Sequence, residues 1–160
     1  MKINLINRKS KKPLIAIIEQ IMESDYPLIS ESGNYLFDWK LERYNDVYKV
    51  YLTSNENEII GLMSLYDYPE ESCIHLNLLE LSKNNTGKLK KIDNIAGCLI
   101  AFAARISYER GYLGIVTLDA KTKLIEHYQK KYGFEDVGYM MILSGQASTN
   151  LIRKYLTNER

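Results

Sequence analysis

"CIHLNLLELSKNNTGKLKKIDNIAGCLIAFAARISYERG", residues 73–111, changes its period part-way along. Its first nine residues, 73–81, read as a strand. Further on, Ile92, Ile95, Ala96, Leu99, Ala103 and Ile106 recur at helical spacing, and Gly111 sits where a left-handed C-terminal cap belongs. Between the two lies a turn with Asn84, Asn85 and Gly87 and four lysines, Lys83, Lys88, Lys90 and Lys91. Ala96 and Gly97 then open the helix. Free N–H groups at a helix N-terminus favour an anion, and small side chains let a phosphate approach the backbone. Adjoining lysines add point charge. The same residues also read as a solvated loop leading into a small-residue packing contact. Neither a Walker A loop nor a G-x-G-x-x-G turn is present.

Upstream, "VYKVYLT" (47–53) and "IIGLMSLY" (59–66) are strand-like and joined to one another and to 73–81 by the polar stretches "SNENE" and "DYPEES". Short connections make these three an antiparallel meander. "KINLI" (2–6) reads as an edge strand. Residues 13–24 are predicted to form an amphipathic helix, with Pro13 opening it and Leu14, Ile17, Ile18, Ile21 and Met22 on one stripe. For 25–45 a short helix and an irregular loop fit equally well. Downstream, "GIVTLDA" (114–120) reads as a strand buried on both faces, 122–132 as a helix ending at Gly133, "VGYMMIL" (137–143) as a further strand and 149–156 as a last helix. Residues 1–160 are read as a single mixed α/β domain.

A formal net charge of +1 argues against a broad nucleic-acid footprint, and 46% apolar with 26% charged residues is ordinary for a globular chain. Two cysteines, Cys73 and Cys98, are too few for a disulfide framework and suit a reducing cytoplasm. Glu19 and Gln20 cut the apolar run near the start, so it does not read as a signal peptide. No stretch reaches the roughly 20 apolar residues of a membrane span.

A meander, a turn rich in anion donors, a long helix, a buried strand, and a helix closing on "YQKKYGF" (128–134) together resemble the GNAT superfamily of acyl-CoA-dependent N-acyltransferases, over roughly residues 47–143. The resemblance implies a mixed sheet with an antiparallel meander, a splayed central parallel pair (73–81 with 114–120) and flanking helices. It implies acetyl-CoA or a related acyl-CoA as co-substrate and an amine acceptor. The family's phosphate pattern [QR]-x-x-G-x-[GA] falls on "KIDNIA", with Lys91 first, Asn94 at the usual glycine and Ala96 at the last small position. Lys88, Lys91, Asn94, Ile95, Ala96, Gly97 and Cys98 are thereby implied to bind the cofactor's phosphates, and Leu79, Glu80 and Leu81 to line its pantetheine arm. Lys121 stands where many members place an arm-binding Asn. The family often ends on a strand beside the last one, for which 144–156 reads instead as turn and helix. A partner, a second copy of the chain included, could cover the edge left open.

Acyl transfer to an amine needs a base for the ammonium, donors for the oxyanion and an acid for the departing thiolate. Glu80, a carboxylate near the end of an apolar strand, is the candidate base, ahead of His75 and His127. The family's tyrosine acid falls on Tyr128, with a register slip of one residue, and Tyr132 one turn later reads as packing. A phenol near ~10 and a thiol near ~8.5 are close enough to share a proton. Cys98 reads better as a buried thiol than a reactive one. Trp39 and the tyrosines at 26, 35, 44, 48 and 51 are unassigned candidates for an acceptor pocket. The alternative function is a catalytically silent module of the same fold that binds acyl-CoA or a protein or nucleic-acid partner.

Overall fold

The computed structural model describes residues 1–156. Nine strands and four helices follow one another as β1 (Lys2–Asn7), β2 (Pro13–Gln20), α1 (Asp25–Ser32), β3 (Asp46–Leu52), β4 (Asn55–Tyr68), β5 (Cys73–Leu81), β6 (Ile92–Asp93), α2 (Ile95–Glu109), β7 (Val116–Leu118), α3 (Ile125–Tyr132), β8 (Glu135–Asp136), β9 (Met141–Leu143) and α4 (Gly145–Leu156). The sheet order is β6-β1-β2-β3-β4-β5-β7-β9-β8. β5 and β7 form the parallel pair, with Ile74 opposite Val116 and His75 opposite Thr117. The mixed sheet with one parallel pair and flanking helices is the expected class.

The backbone falls into two compact units: Met1–Ser64 with Leu78–Ala96, and Leu65–Asn77 with the residues from Gly97 on. In the first, Tyr26, Ile29, Trp39, Val47 and Leu62 form a buried cluster, with Ile21, Tyr35, Ile59 and Leu78 packed against it. Trp39 is thus a core residue, and with Tyr26 and Tyr35 it also lines a small cleft beside α1. α1 and a 3₁₀ turn at Trp39–Glu42 fill the stretch that the sequence left open, and Gly33 ends α1 in the left-handed region at φ 69°.

Residues 13–20 are a strand, not the start of a helix. Of the five residues placed on the helical stripe, Leu14, Ile17 and Ile18 lie within this strand, and the β-branched Ile15, Ile17 and Ile18 favour a pleated surface. Burial alternates: Ala16 and Ile18 are fully buried while Ile15 is exposed. β2 pairs antiparallel with β1 on one side and β3 on the other, and Pro13 is tolerated as its first residue. Lys49 on β3, opposite Glu19 on β2, is buried and held by Asp25 at 2.8 Å, with Glu19 at 3.6 Å. Asp25 also accepts the Met22 N–H at 2.8 Å, which fixes the entry to α1.

In the second unit α2 buries Cys98, Leu99, Ile100, Ala101, Ala103 and Ala104. β7 is shorter than the apolar run around it, because Gly114 turns at φ 74° and the Ile115 N–H bonds Tyr112 O at 3.0 Å. The single strand expected at 137–143 is instead the second half of a hairpin. Gly138 takes φ 95°, Val137 N–H bonds Met140 O at 3.0 Å, and β8 pairs with β9. β8 is two residues long and precedes β9, and after β9 the chain forms the helix α4 in place of a further strand, as expected. Glu135 and Asp136 give this sheet edge the charge that discourages further pairing.

No helix among the described residues is long and apolar enough to cross a membrane. Removing the partner of a buried ammonium is costly, so Asp25→Ala should lower stability by roughly 3–5 kcal/mol. Urea unfolding measures this, and Asp38→Ala, which loses only an exposed hydrogen bond to Lys40 N at 3.2 Å, serves as control.

Candidate functional site

After β5 the chain makes two consecutive 3₁₀ turns, Lys83–Asn85 and Gly87–Leu89. They are pinned at the start by Ser82 N–H on Ile60 O (3.1 Å) and Lys83 N–H on Asn34 O (3.1 Å). Buried Asn85 donates its side-chain amide to Ser82 Oγ at 2.9 Å. β6 then returns along β1, with Asp93 opposite Ile6 and Ile92 opposite Asn7, and Arg8 N–H bonds Lys91 O at 2.9 Å. α2 consequently begins at Ile95, three residues later than the first helical-period isoleucine.

The reversal into α2 is made by Asn94 at φ 80°, the left-handed conformation at which the family pattern has glycine. Asparagine is one of the few side chains that occupy this region readily. Lys90 is drawn to Asp93 at 3.7 Å, whereas Lys83, Lys88 and Lys91 are exposed and have no ion pair among the described residues. Lys88, Lys91, Asn94, Ile95 and Ala96 are thereby collected at one turn-to-helix junction, with Ala96 half-buried and Ile95 buried.

Gly97 and Cys98 serve packing. A Cβ at Gly97 would lie 2.3 Å from Tyr155 Cζ, so the ring of α4 occupies the space the glycine leaves. Cys98 is fully buried with its Sγ 3.6 Å from Tyr155 O, and burial pushes its thiol up to about 12. It is inert as a nucleophile.

Leu79, Glu80 and Leu81 are half-buried at the end of β5. The Glu80 carboxylate accepts from Leu36 N–H at 2.7 Å, Phe37 N–H at 3.4 Å and Trp39 Nε1–H at 2.8 Å. Both oxygens hold the irregular 36–39 segment, and three donors leave one lone-pair site of the carboxylate open.

α3 carries the two tyrosines. His127, Tyr128, Tyr132 and Phe134 form an aromatic cluster, with Tyr128 centroids 5.7 Å from His127, 6.0 Å from Tyr132 and 5.7 Å from Phe134. Tyr132 is buried at 5% exposure, whereas Tyr128 is half-buried and its hydroxyl has no hydrogen-bond partner among the described residues. Burial raises both phenols above their ordinary value, which keeps them protonated and able to donate. Lys121 is exposed, and its carbonyl accepts Leu124 N–H at 2.7 Å to open the 3₁₀ turn before α3. Sequence reasoning passed over Thr117 and Asp119. Their only signal was a hydroxyl and a carboxylate two apart on the buried strand, and His75 acquires meaning through them.

No family model matches the chain, and no curated protein matches it in sequence. Solved structures do match in fold. Mutant forms of the spermidine/spermine N-acetyltransferase SpeG from Vibrio cholerae superpose with TM-score 0.61 at 14% identity, covering 84% of this chain and 96% of that one. The aminoglycoside acetyltransferase AAC(6')-Ib in complex with coenzyme A and kanamycin gives 0.59 at 14%, covering 84% and 98%. AtaTR bound with AcCoA gives 0.56 at 14%, covering 86% and 98%. The chain has the GNAT acetyltransferase fold.

Gly97→Ala should cost about 1–3 kcal/mol through overpacking against Tyr155. Thermal unfolding of Gly97→Ala and of the double variant with Tyr155→Leu tests this: the second change should recover part of the loss.

Proposed function

We propose that the chain is an acyl-CoA-dependent N-acyltransferase acting as one domain, transferring an acetyl or other acyl group to a primary amine by direct attack. Three fold neighbours with this chemistry, one holding AcCoA and one coenzyme A with kanamycin, support the general reaction. The observation in this chain that carries the reading is Asn94: a left-handed asparagine where the family pattern has glycine, leading directly into α2 behind a lysine turn.

The junction suits a pyrophosphate. The first N–H groups of a helix lack intrahelical partners, and the dipole favours negative charge beside them. Asn94, Ile95 and Ala96 would offer backbone donors there, continued by Gly97 and Cys98, whose side-chain positions are taken up by packing. Lys88 and Lys91 would add charge for the phosphates. Leu79 and Leu81 are the proposed apolar contacts for the pantetheine arm, and Lys121 stands at the arm's family contact position. When bound, acyl-CoA supplies the thioester carbon that the amine attacks. Tyr128 is the proposed acid for the thiolate: its ring is packed, its hydroxyl uncommitted and its proton retained. Glu80, at the end of β5, holds the 36–39 segment through its three donors. Two buried free thiols fit a reducing cytoplasm as the place of action.

Saturating acetyl-CoA, at about 100 times its dissociation constant, should add about 2.7 kcal/mol of stability. Ala96→Asp puts a carboxylate where the phosphate would lie and should abolish this gain while leaving the unliganded melting temperature close to wild type. Calorimetry decides: wild-type affinity in Ala96→Asp removes the phosphate assignment, and no binding by the wild type removes the acyltransferase reading. Tyr128→Phe should lower turnover by roughly 10²–10⁴ with acetyl-CoA affinity nearly unchanged. Tyr132→Phe should keep most of the activity.

A further inference from the structure

The acceptor's ammonium needs a base, and the Glu80 oxygens already accept three donors from the 36–39 segment. The second unit contains one buried polar cluster that nothing above employs. His75 on β5 stands opposite Thr117 on β7, in the last pair of the parallel register. Its Nδ1 is 2.8 Å from Thr117 Oγ1. Its Nε2 is 3.6 Å from Asp119 Oδ2, and the side chains of His75 and Asp119 are 16% and 74% exposed. The Tyr68 ring of β4 meets the imidazole edge-on at 6.1 Å.

A neutral imidazole has one N–H and one lone pair. Nδ1 faces a buried hydroxyl at hydrogen-bond distance, whereas 3.6 Å from Nε2 to the carboxylate exceeds hydrogen-bond reach. With the proton on Nδ1, the ring donates to Thr117 Oγ1. The lone pair of Nε2 is then directed toward a solvent-exposed carboxylate. A lone pair beside a carboxylate is a place where a primary ammonium both binds and loses a proton.

We propose that His75 Nε2 is the base for the acceptor, and that Asp119 draws in a cationic primary amine and steadies the imidazolium formed. This rests on the acyltransferase reading above. Thr117 and Asp119 are positioning residues. The charges balance as follows. R–NH₃⁺ gives one proton to Nε2 and becomes R–NH₂. The nitrogen pair forms the N–C bond to the thioester carbon, and the C–S bond breaks with its electrons on sulfur. A second nitrogen proton offsets the one that Tyr128 gives to the thiolate. His75 returns its proton to solvent, leaving an amide, a free thiol and one released proton.

Burial pushes the His75 imidazole below its ordinary range, and the Asp119 carboxylate partly opposes this. The ring is therefore neutral and able to accept a proton near pH 7. Tyr68 and Asp119 are the titratable groups that meet it.

The chain has two histidines, so nitrogen-15 spectra distinguish His75 from His127 once His75→Gln is recorded. At pH 7.5 the His75 ring should carry its proton on Nδ1. Adding 1,4-diaminobutane should shift the Nε2 signal, and Asp119→Asn should remove that shift. A neutral ring protonated on Nε2, or an Nε2 signal indifferent to the diamine, overturns the assignment without any assay of turnover. Kinetics with acetyl-CoA and the same diamine supply the second arm. His75→Gln should lose roughly 10²–10⁴-fold at pH 7 and regain rate as pH rises and free amine appears. Hydroxylamine, unprotonated at pH 7, should be spared most of the loss. Equal losses for both amines, or a flat pH profile, also overturn it. Acetyl-CoA binding measured alongside separates the two claims: its absence in the wild type removes the acyltransferase reading, whereas binding with an unresponsive Nε2 removes only the base.

Discussion

The parallel register of β5 and β7 is the constraint on which most of the rest depends. Two parallel neighbours cannot be joined by a hairpin, so the chain between them must cross over, and α2 is that crossover. Along that crossover lie the lysine turn, the return along β1 and the reversal at Asn94, and α2 begins only after β6 at the sheet edge beside β1. The same register sets His75 beside Thr117.

Charged groups in this chain divide by what they are bonded to rather than by where the sequence puts them. Glu80 and Asp25 are both carboxylates with backbone N–H donors, and each fixes a segment that has no regular structure of its own. Asp119 has no such donor among the described residues and faces a histidine instead. Of the lysines, Lys49 is buried in an ion pair that ties β3 to the start of α1, while Lys88 and Lys91 remain exposed. An exposed cation is the kind a phosphate can recruit at little desolvation cost.

Where the sequence was legible, one period dominated. β5 is a strand over the residues expected, and the helical spacing from Ile95 onward is α2, because in each case apolar residues occupy one face and no other reading fits. The reading of 13–20 failed because leucine and isoleucine at 14, 17, 18 and 21 satisfy a helical stripe and a two-sided strand alike. Pairing with β1 and β3 settles it, and pairing is non-local. Gly138 broke the 137–143 run through a backbone angle that no hydropathy pattern contains. At the site, the phosphate junction was readable as turn formers, lysines and a degenerate motif. The Glu80 contacts were not, since its donors lie more than forty residues away in a segment without periodicity. At Gly97 the space that the small side chain leaves is filled by Tyr155, a contact between residues 58 apart that no local pattern contains.

The central claim is that the first turn of α2 holds the phosphates of an acyl-CoA. Residue-resolved amide hydrogen exchange with and without saturating acetyl-CoA tests it most directly, because the ligand would bond the very N–H groups being read. Exchange at Asn94, Ile95 and Ala96 should slow on ligand addition, while the exposed 137–140 turn should be unchanged. Protection that leaves residues 94–98 untouched, with acetyl-CoA demonstrably bound, would contradict the account.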